Sequence, residues 1–106
     1  MKDYLLILVT SPDEKKSREI ALHLVENKLA ACVTIVPRCR SIYRWEEKIS
    51  LEEEYLLLIK TSEKLYSKIE GEILNIHPYQ VPEIIAFSIN KGFDKYLAWI
   101  EKETEA

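Results

Sequence analysis

The chain has 106 residues, of which 47% are hydrophobic and 31% charged, and its formal net charge is -3. This length predicts a single domain over residues 1–106, and the composition is that of a globular protein rather than a disordered one. Acidic and basic residues are interleaved, which excludes the dense basic surface that binding to a nucleic acid requires. No apolar run is long enough to cross a membrane and no signal-peptide pattern occurs, so a cytoplasmic protein is predicted.

The first quarter of the chain predicts a buried strand followed by a helix. Residues 4–10 are apolar at nearly every position, as in a strand that is buried on both faces. Ser11 can cap a helix, with Pro12 at its first position and Glu14 where a capping box needs an acidic residue. Apolar residues then recur at helical spacing, which predicts a helix over 12–28.

The middle of the chain predicts a long hairpin. Over residues 31–45 the hydrophobic period changes to two, which indicates a half-buried strand. Pro37 cannot donate a ladder hydrogen bond, so this strand should lie at a sheet edge or carry a bulge there. Glu46 and Glu47 should form a tight turn before a strand over 48–61. Alternation assigns to one face of the first strand Val33, Ile35, Pro37, Cys39, Tyr43 and Trp45, and to the other face Arg38, Arg40 and Arg44.

Both cysteines of the chain, Cys32 and Cys39, lie on this predicted strand. Seven residues of extended chain would separate them by ~23 Å and point them to opposite faces. A disulfide requires Cα atoms within about 7 Å of each other. The sequence therefore predicts two free thiols, as expected in a reducing compartment.

The second half of the chain predicts two helices that flank a strand. The first should begin at Thr61 or Ser62 and end at His77, because a residue before proline leaves the helical region. A fourth strand is predicted over 83–89, and Asp94 should cap a short final helix. The positions of the first of these helices that should face the core are Leu65, Ile69, Ile73 and Ile76.

The order of these elements predicts an α+β, ferredoxin-like βαββαβ fold with an extra C-terminal helix. In this fold strands one and three lie in the middle of an antiparallel sheet, and both main helices cover one face. Both of these strands are apolar on their two faces, so the second face would expose a large apolar patch, which monomers rarely do. The pattern therefore predicts an oligomer. The alternative is that the last helix or a loop covers this face.

Five short stretches occur in order along nearly the whole chain: residues 29–33 (LAACV), 41–45 (SIYRW), 59–61 (IKT), 77–83 (HPYQVPE) and 96–99 (YLAW). Together they resemble the CutA divalent-cation-tolerance family. The resemblance implies a homotrimer whose sheets pack inward and whose hairpins pair with neighbours. It also implies tolerance of copper and other divalent metals, and similarity to the trimeric PII signalling proteins.

The chain departs from this family pattern at three positions. Family members usually carry glycine in the hairpin turn, whereas this chain has Glu47, which leaves the hairpin register open. Some members carry a cysteine and paired histidines that have been linked to copper. Here Val9 and Ile76 stand at two of those positions and His77 is left, so a copper site copied from those members would be incomplete.

Candidate site residues fall into a metal set and a cleft set. His77 is the best single ligand for Cu²⁺ or another divalent cation, and the alternative is a helix-ending histidine that is hydrogen-bonded locally. Glu52–Glu54 could bind a hard cation at a subunit boundary, or could be a solvated edge or pair with Arg38 and Arg40. The resemblance implies an intersubunit cleft, either a ligand site or an interface core, that is lined by Tyr43, Trp45, Lys60, Tyr79, Glu83, Tyr96 and Trp99.

Two functions follow from these residues. One is a homotrimer that binds copper or another divalent metal and contributes to metal-ion homeostasis. The other is a PII-like signalling or scaffold trimer that binds a small ligand or a partner protein in the intersubunit cleft. Catalysis is not predicted, because the sequence has no Gly-rich phosphate loop, zinc-protease signature or nucleophile elbow.

Overall fold

The structure is a computed structural model that describes residues 3–105. It has four strands and three helices, namely β1 (Tyr4–Ser11), α1 (Glu14–Glu26), β2 (Cys32–Trp45), β3 (Lys48–Ser62), α2 (Tyr66–Ile76), β4 (Ile84–Ser88) and α3 (Asp94–Glu103), with a short 3-10 helix before α2. The strands form one antiparallel sheet in the order β2-β3-β1-β4. The predicted α+β, ferredoxin-like architecture, with β1 and β3 in the middle, is confirmed.

Helices α1 and α2 pack on one face of the sheet and form the core with it. On this face Ile7 of β1 lies opposite Ile59 of β3, and both side chains are fully buried. Ile20 of α1 and Ile69 of α2 complete the same apolar cluster. The helical period of three to four residues places these apolar side chains toward the sheet, and the polar residues between them face solvent.

The opposite face of the sheet, termed the outer sheet face, is also apolar. Alternation places on it Leu6, Leu8, Leu56, Leu58, Ile85 and Phe87. The four leucines are half-buried, whereas Ile85 is 47% exposed and Phe87 is 53% exposed. Neither α3 nor a loop therefore covers this face completely, as the two-sided apolar pattern of β1 and β3 predicts.

A β-bulge in β2 corrects the predicted assignment of faces on this strand. The register passes from Val36 opposite Leu56 to Cys39 opposite Glu54, so β2 carries one extra residue there. Pro37 lies in this bulge and β2 is an edge strand, as the missing proline donor predicts. The extra residue inverts the alternation, so the prediction that Val33 and Ile35 share a face with Cys39, Tyr43 and Trp45 is wrong.

The same bulge changes the relation between the two cysteines. Cys32 lies opposite Lys60 and Cys39 opposite Glu54, which puts both thiols on one face of the sheet rather than on opposite faces. Both are free, as predicted. Arg38, within the bulge, has a positive φ of 61°, which lets the strand absorb the extra residue.

Three predicted helix caps are corrected by the structure. Ser11 remains in β1, and Asp13 caps α1 instead, its side chain accepting a hydrogen bond from the Lys16 N–H at 2.7 Å. Thr61 caps no helix, and its hydroxyl donates to the carbonyl oxygen of Leu29. Ser62 lies at the N-cap position of the 3-10 helix that leads into α2, as predicted, although its side chain makes no capping hydrogen bond. Asp94 is the first residue of α3 rather than its cap. Ser11 and Thr61 are instead paired within the sheet, opposite Tyr55 and Leu5.

The β2–β3 hairpin closes with a two-residue turn, as predicted. Trp45 lies opposite Lys48, and the two residues between them, Glu46 and Glu47, have positive φ angles of 49° and 66°. Positive φ at both central residues is the type I′ pattern, which glycine and asparagine adopt at lower cost than glutamate. The turn is therefore strained although its register is well defined.

Replacing Glu46 and Glu47 with Asn and Gly is expected to raise the free energy of unfolding by about 1 kcal/mol, because it relieves this left-handed backbone strain. Urea denaturation measures the change. The matched control replaces both residues with glutamine, which removes the two charges but keeps the strain and should leave stability nearly unchanged. An equal gain in both variants would assign the effect to charge instead.

Candidate functional site

The described residues enclose a cleft of about 590 Å³ between the β2–β3 hairpin and the segment that follows α2. Its walls include three aromatic side chains and three carboxylates, namely Tyr43, Trp45, Tyr79, Glu52, Glu54 and Glu83. Among the described residues that line it, none is a lysine or an arginine. The cleft therefore combines aromatic surface with uncompensated negative charge.

The bulge in β2 explains why the aromatic and acidic residues of the hairpin meet. Beyond the bulge, Tyr43 lies opposite Ser50, Ser41 opposite Glu52, and Cys39 opposite Glu54. Successive side chains along a strand point to opposite faces, and paired residues share a face, so Tyr43, Glu52 and Glu54 project from the same side of the hairpin. Without the extra residue, Tyr43 would project from the opposite side and could not line this cleft.

Glu54 is the most buried charged residue of the cleft, with 5% of its surface exposed. Its Oε2 accepts a hydrogen bond from the Tyr79 hydroxyl at 2.7 Å. Among residues 3–105, no ion pair joins Glu52–Glu54 to Arg38 or Arg40. The alternative that these glutamates form a solvated edge does not apply to Glu54, because its carboxylate is buried and its partner is the neutral phenol of Tyr79.

His77 holds the cleft segment against β1. Its ring is buried, Nε2 donates to the carbonyl oxygen of Thr10 at 2.6 Å, and Nδ1 accepts from the Tyr79 N–H at 3.2 Å. The acceptor role of Nδ1 requires the neutral tautomer that is protonated on Nε2. These bonds, with a ring-to-ring centroid distance of 4.7 Å to Tyr79, position Tyr79 over Glu54.

Both ring nitrogens of His77 thus make hydrogen bonds within the chain. This is the arrangement predicted as the alternative to a metal ligand. No group of three or more His, Cys, Asp or Glu residues in the described part of the chain is arranged to hold a metal ion. A metal at His77 would have to displace one of the two hydrogen bonds. His77 as a ligand stays a prediction.

The other three predicted cleft residues lie outside this cleft. Lys60 donates hydrogen bonds to the hydroxyl of Thr34 and, at 3.7 Å, to the thiol of Cys32. The rings of Tyr96 and Trp99, on α3, lie 5.5 Å apart. Within one chain the seven predicted residues therefore form two separate groups. A single cleft that contains all seven would need residues from a second subunit and stays a prediction.

Sequence reasoning missed the hydrogen bond between Glu54 and Tyr79 because it depends on two features of the folded chain. One is the bulge, which sets the face of β2 that meets Glu54. The other is the packing of residues 77–83 against β1 through Thr10. The available signal was the proline at position 37, which predicts a sheet edge or a bulge but not which face each later residue of β2 occupies.

Burial and the hydrogen bond to Glu54 raise the pKa of Tyr79 above its ordinary value of about 10. Above that pH the unfolded chain loses the Tyr79 proton while the folded chain keeps it, so this contribution to stability is complete below pH 10 and falls as the pH rises. When the pH is raised from about 8 to about 10.5, the free energy of unfolding is therefore expected to fall less in the Tyr79→Phe variant than in the wild-type protein. Urea denaturation at both pH values measures this difference, and equal losses would contradict it.

The family model and the sequence relatives described below, all of which match this chain, share one family name. The family model described as "CutA1 divalent ion tolerance protein" matches residues 5–103. The divalent-cation tolerance protein CutA of Thermus thermophilus is 44% identical over 99 residues, which cover 93% of this chain and 96% of that protein. Human Protein CutA is 42% identical over 98 residues, or 92% of this chain, but the chain spans only 55% of the human protein.

Solved structures agree with these sequence relatives. Cut A1 from Thermus thermophilus superposes with a TM-score of 0.94 at 43% identity, covering 96% of this chain and 99% of that chain. CutA from Xylella fastidiosa superposes with a TM-score of 0.95 at 40% identity, covering 97% and 99%. A relative from Arabidopsis thaliana is named chloroplastic and one from Archaeoglobus fulgidus is called periplasmic, so relatives differ in compartment.

Proposed function

The chain belongs to the CutA1 divalent ion tolerance protein family, and on that premise we propose that it is a homotrimeric binding protein that holds copper or another divalent cation weakly and contributes to metal-ion homeostasis. The proposal has two parts, which are the assembly and the cation. Each part is supported by a different feature of the subunit.

The outer sheet face and the hairpin support the assembly. Ile85 and Phe87 on the outer sheet face are about half exposed, and Ile42, Ile49 and Leu51 of the hairpin are 73%, 64% and 67% exposed. The subunit measures 44 × 25 × 22 Å, since the hairpin extends beyond the helix-covered body. Apolar surface of this extent favours association with further copies. The threefold arrangement is the one that the family resemblance implies.

The uncompensated carboxylates of the cleft are the observation that carries the cation part. Glu52, Glu54 and Glu83 line it without a lysine or arginine. Carboxylate oxygens are ligands for hard divalent cations, whereas copper also favours imidazole nitrogen, which His77 would supply. Because no described set of three such ligands converges, water would complete the coordination shell and binding would be weak.

Calorimetric titration of the purified protein with Cu²⁺ and Mn²⁺ tests the cation part. Glu52→Gln and Glu83→Gln are each expected to weaken binding about tenfold, because each removes one carboxylate charge from the cleft. Glu103→Gln, on the exposed end of α3, is the matched control and should bind like wild type. Binding that is unchanged in both cleft variants would place the cation elsewhere.

A second candidate function is a PII-like signalling or scaffold trimer that binds a small ligand or a partner protein in the cleft. The size and walls of the cleft favour it, because about 590 Å³ with aromatic surface suits an organic molecule better than a bare ion. Ligand-induced stabilisation in a thermal-shift screen, absent in Glu83→Gln, would support this candidate. Its failure would leave the divalent-cation proposal standing.

The proposed role is that of a binding protein rather than of an enzyme, and we place it in the cytoplasm. The sequence carries no Gly-rich phosphate loop, zinc-protease signature or nucleophile elbow that would point to an enzyme. No helix in the part of the chain that the structure describes is long and apolar enough to cross a membrane. A nucleic-acid partner is not expected, because the net charge is -3.

A further inference from the structure

The charge of the cleft points to a cationic occupant. Glu54 is buried and carboxylates of this kind are costly unless a positive group compensates them. Its described partner is the neutral hydroxyl of Tyr79, and the neighbouring Glu52 and Glu83 add negative charge. A cation that enters the cleft would therefore compensate this negative charge in place of the water that Glu54 loses on burial.

The size and the aromatic walls of the cleft indicate that this cation is organic. A volume of about 590 Å³ lies within the usual range of small-molecule sites and far exceeds the space that a metal ion needs. In the isolated chain Tyr43 and Trp45 keep 40% of their surface exposed. Tryptophan and tyrosine faces attract ammonium groups through cation–π interactions.

From these features we propose that the cleft binds a small organic cation, with its ammonium group between the aromatic faces of Tyr43, Trp45 and Tyr79 and the carboxylates of Glu52, Glu54 and Glu83. The inference rests on the small-ligand candidate for this cleft and names the class of ligand. An ammonium group needs no fixed coordination geometry, so the site suits it although no three carboxylates among the described residues converge as metal ligands.

The first experiment compares two probes that differ in charge and share their shape. The assembled protein is titrated with choline and with 3,3-dimethylbutan-1-ol, in which a carbon replaces the quaternary nitrogen. Choline is expected to bind at least about tenfold more tightly, since the cation–π and carboxylate attractions require its charge. Equal binding of both probes, or no binding of either, overturns the proposal.

The second experiment locates the choline site with variants. Trp45→Leu removes an aromatic wall and Glu83→Gln removes an exposed carboxylate, and each is expected to weaken choline binding about tenfold. Phe93→Leu and Glu103→Gln, both exposed and outside the cleft, are the matched controls and should bind like wild type. Glu54→Gln is informative only if it remains folded, and Glu83→Gln decides the outcome without it. Unchanged binding in both cleft variants overturns the proposed site.

The same titrations separate this inference from the divalent-cation proposal. Choline binding without Cu²⁺ or Mn²⁺ binding supports the organic-cation site and removes the metal proposal. Metal binding without choline binding does the reverse. If both bind, excess Mn²⁺ should displace choline, because both occupants use the carboxylates of the cleft.

Discussion

Phe87→Glu is expected to dissociate the protein into monomers and to lower its stability by several kcal/mol, whereas Leu22→Glu should leave both the assembly and the stability nearly unchanged. Both side chains are 53% exposed in the subunit. Phe87 lies on the outer sheet face opposite Leu6 of β1, where we propose that subunits meet. Leu22 lies on α1, whose solvent side takes no part in the proposed assembly.

This pair of variants separates interface burial from simple surface chemistry, because the same charge is introduced at the same subunit exposure. Sedimentation velocity at micromolar concentration measures the assembly, and urea denaturation measures stability. A wild-type protein that sediments as a well-folded monomer would contradict the proposed trimer. An equal response of the two variants would remove the outer sheet face as the interface.

His77→Ala is expected to lower the free energy of unfolding by about 2–4 kcal/mol. The substitution leaves the Thr10 carbonyl and the Tyr79 N–H without their partners in a buried site. His23→Ala is the matched control. His23 is half-exposed and pairs with Glu72 at 2.6 Å between α1 and α2, so its loss should cost less than about 1 kcal/mol.

Urea denaturation and copper titration on the two histidine variants distinguish a structural role of His77 from a metal-binding one. If His77 has a structural role, its replacement lowers the free energy of unfolding but leaves the copper affinity of the folded protein unchanged. If His77 is a metal ligand, its replacement lowers the copper affinity under conditions in which the variant is fully folded. Stability equal to that of wild type would contradict the hydrogen-bonded role of the imidazole ring.

The sequence alone determined the fold class and the order of the elements. Hydrophobic period is a local property, so the change from buried strand to helix to alternating strand can be read along the chain. Pro78 predicts that α2 ends at His77, and Pro37 predicts a sheet edge or a bulge in β2; both predictions are confirmed. The apolar character of both faces of β1 and β3 likewise follows from the order of residues in each strand.

Only the tertiary structure decided which of the candidate residues meet. The face on which a strand residue lies follows from alternation only while the period of two continues, and one extra residue in β2 inverts every face beyond it. Glu54 and Tyr79 are 25 positions apart, and Thr10 and His77 are 67 apart. Contacts across such separations depend on how whole elements pack, which local patterns do not specify. The acidic aromatic cleft is for this reason a property of the fold rather than of any single motif.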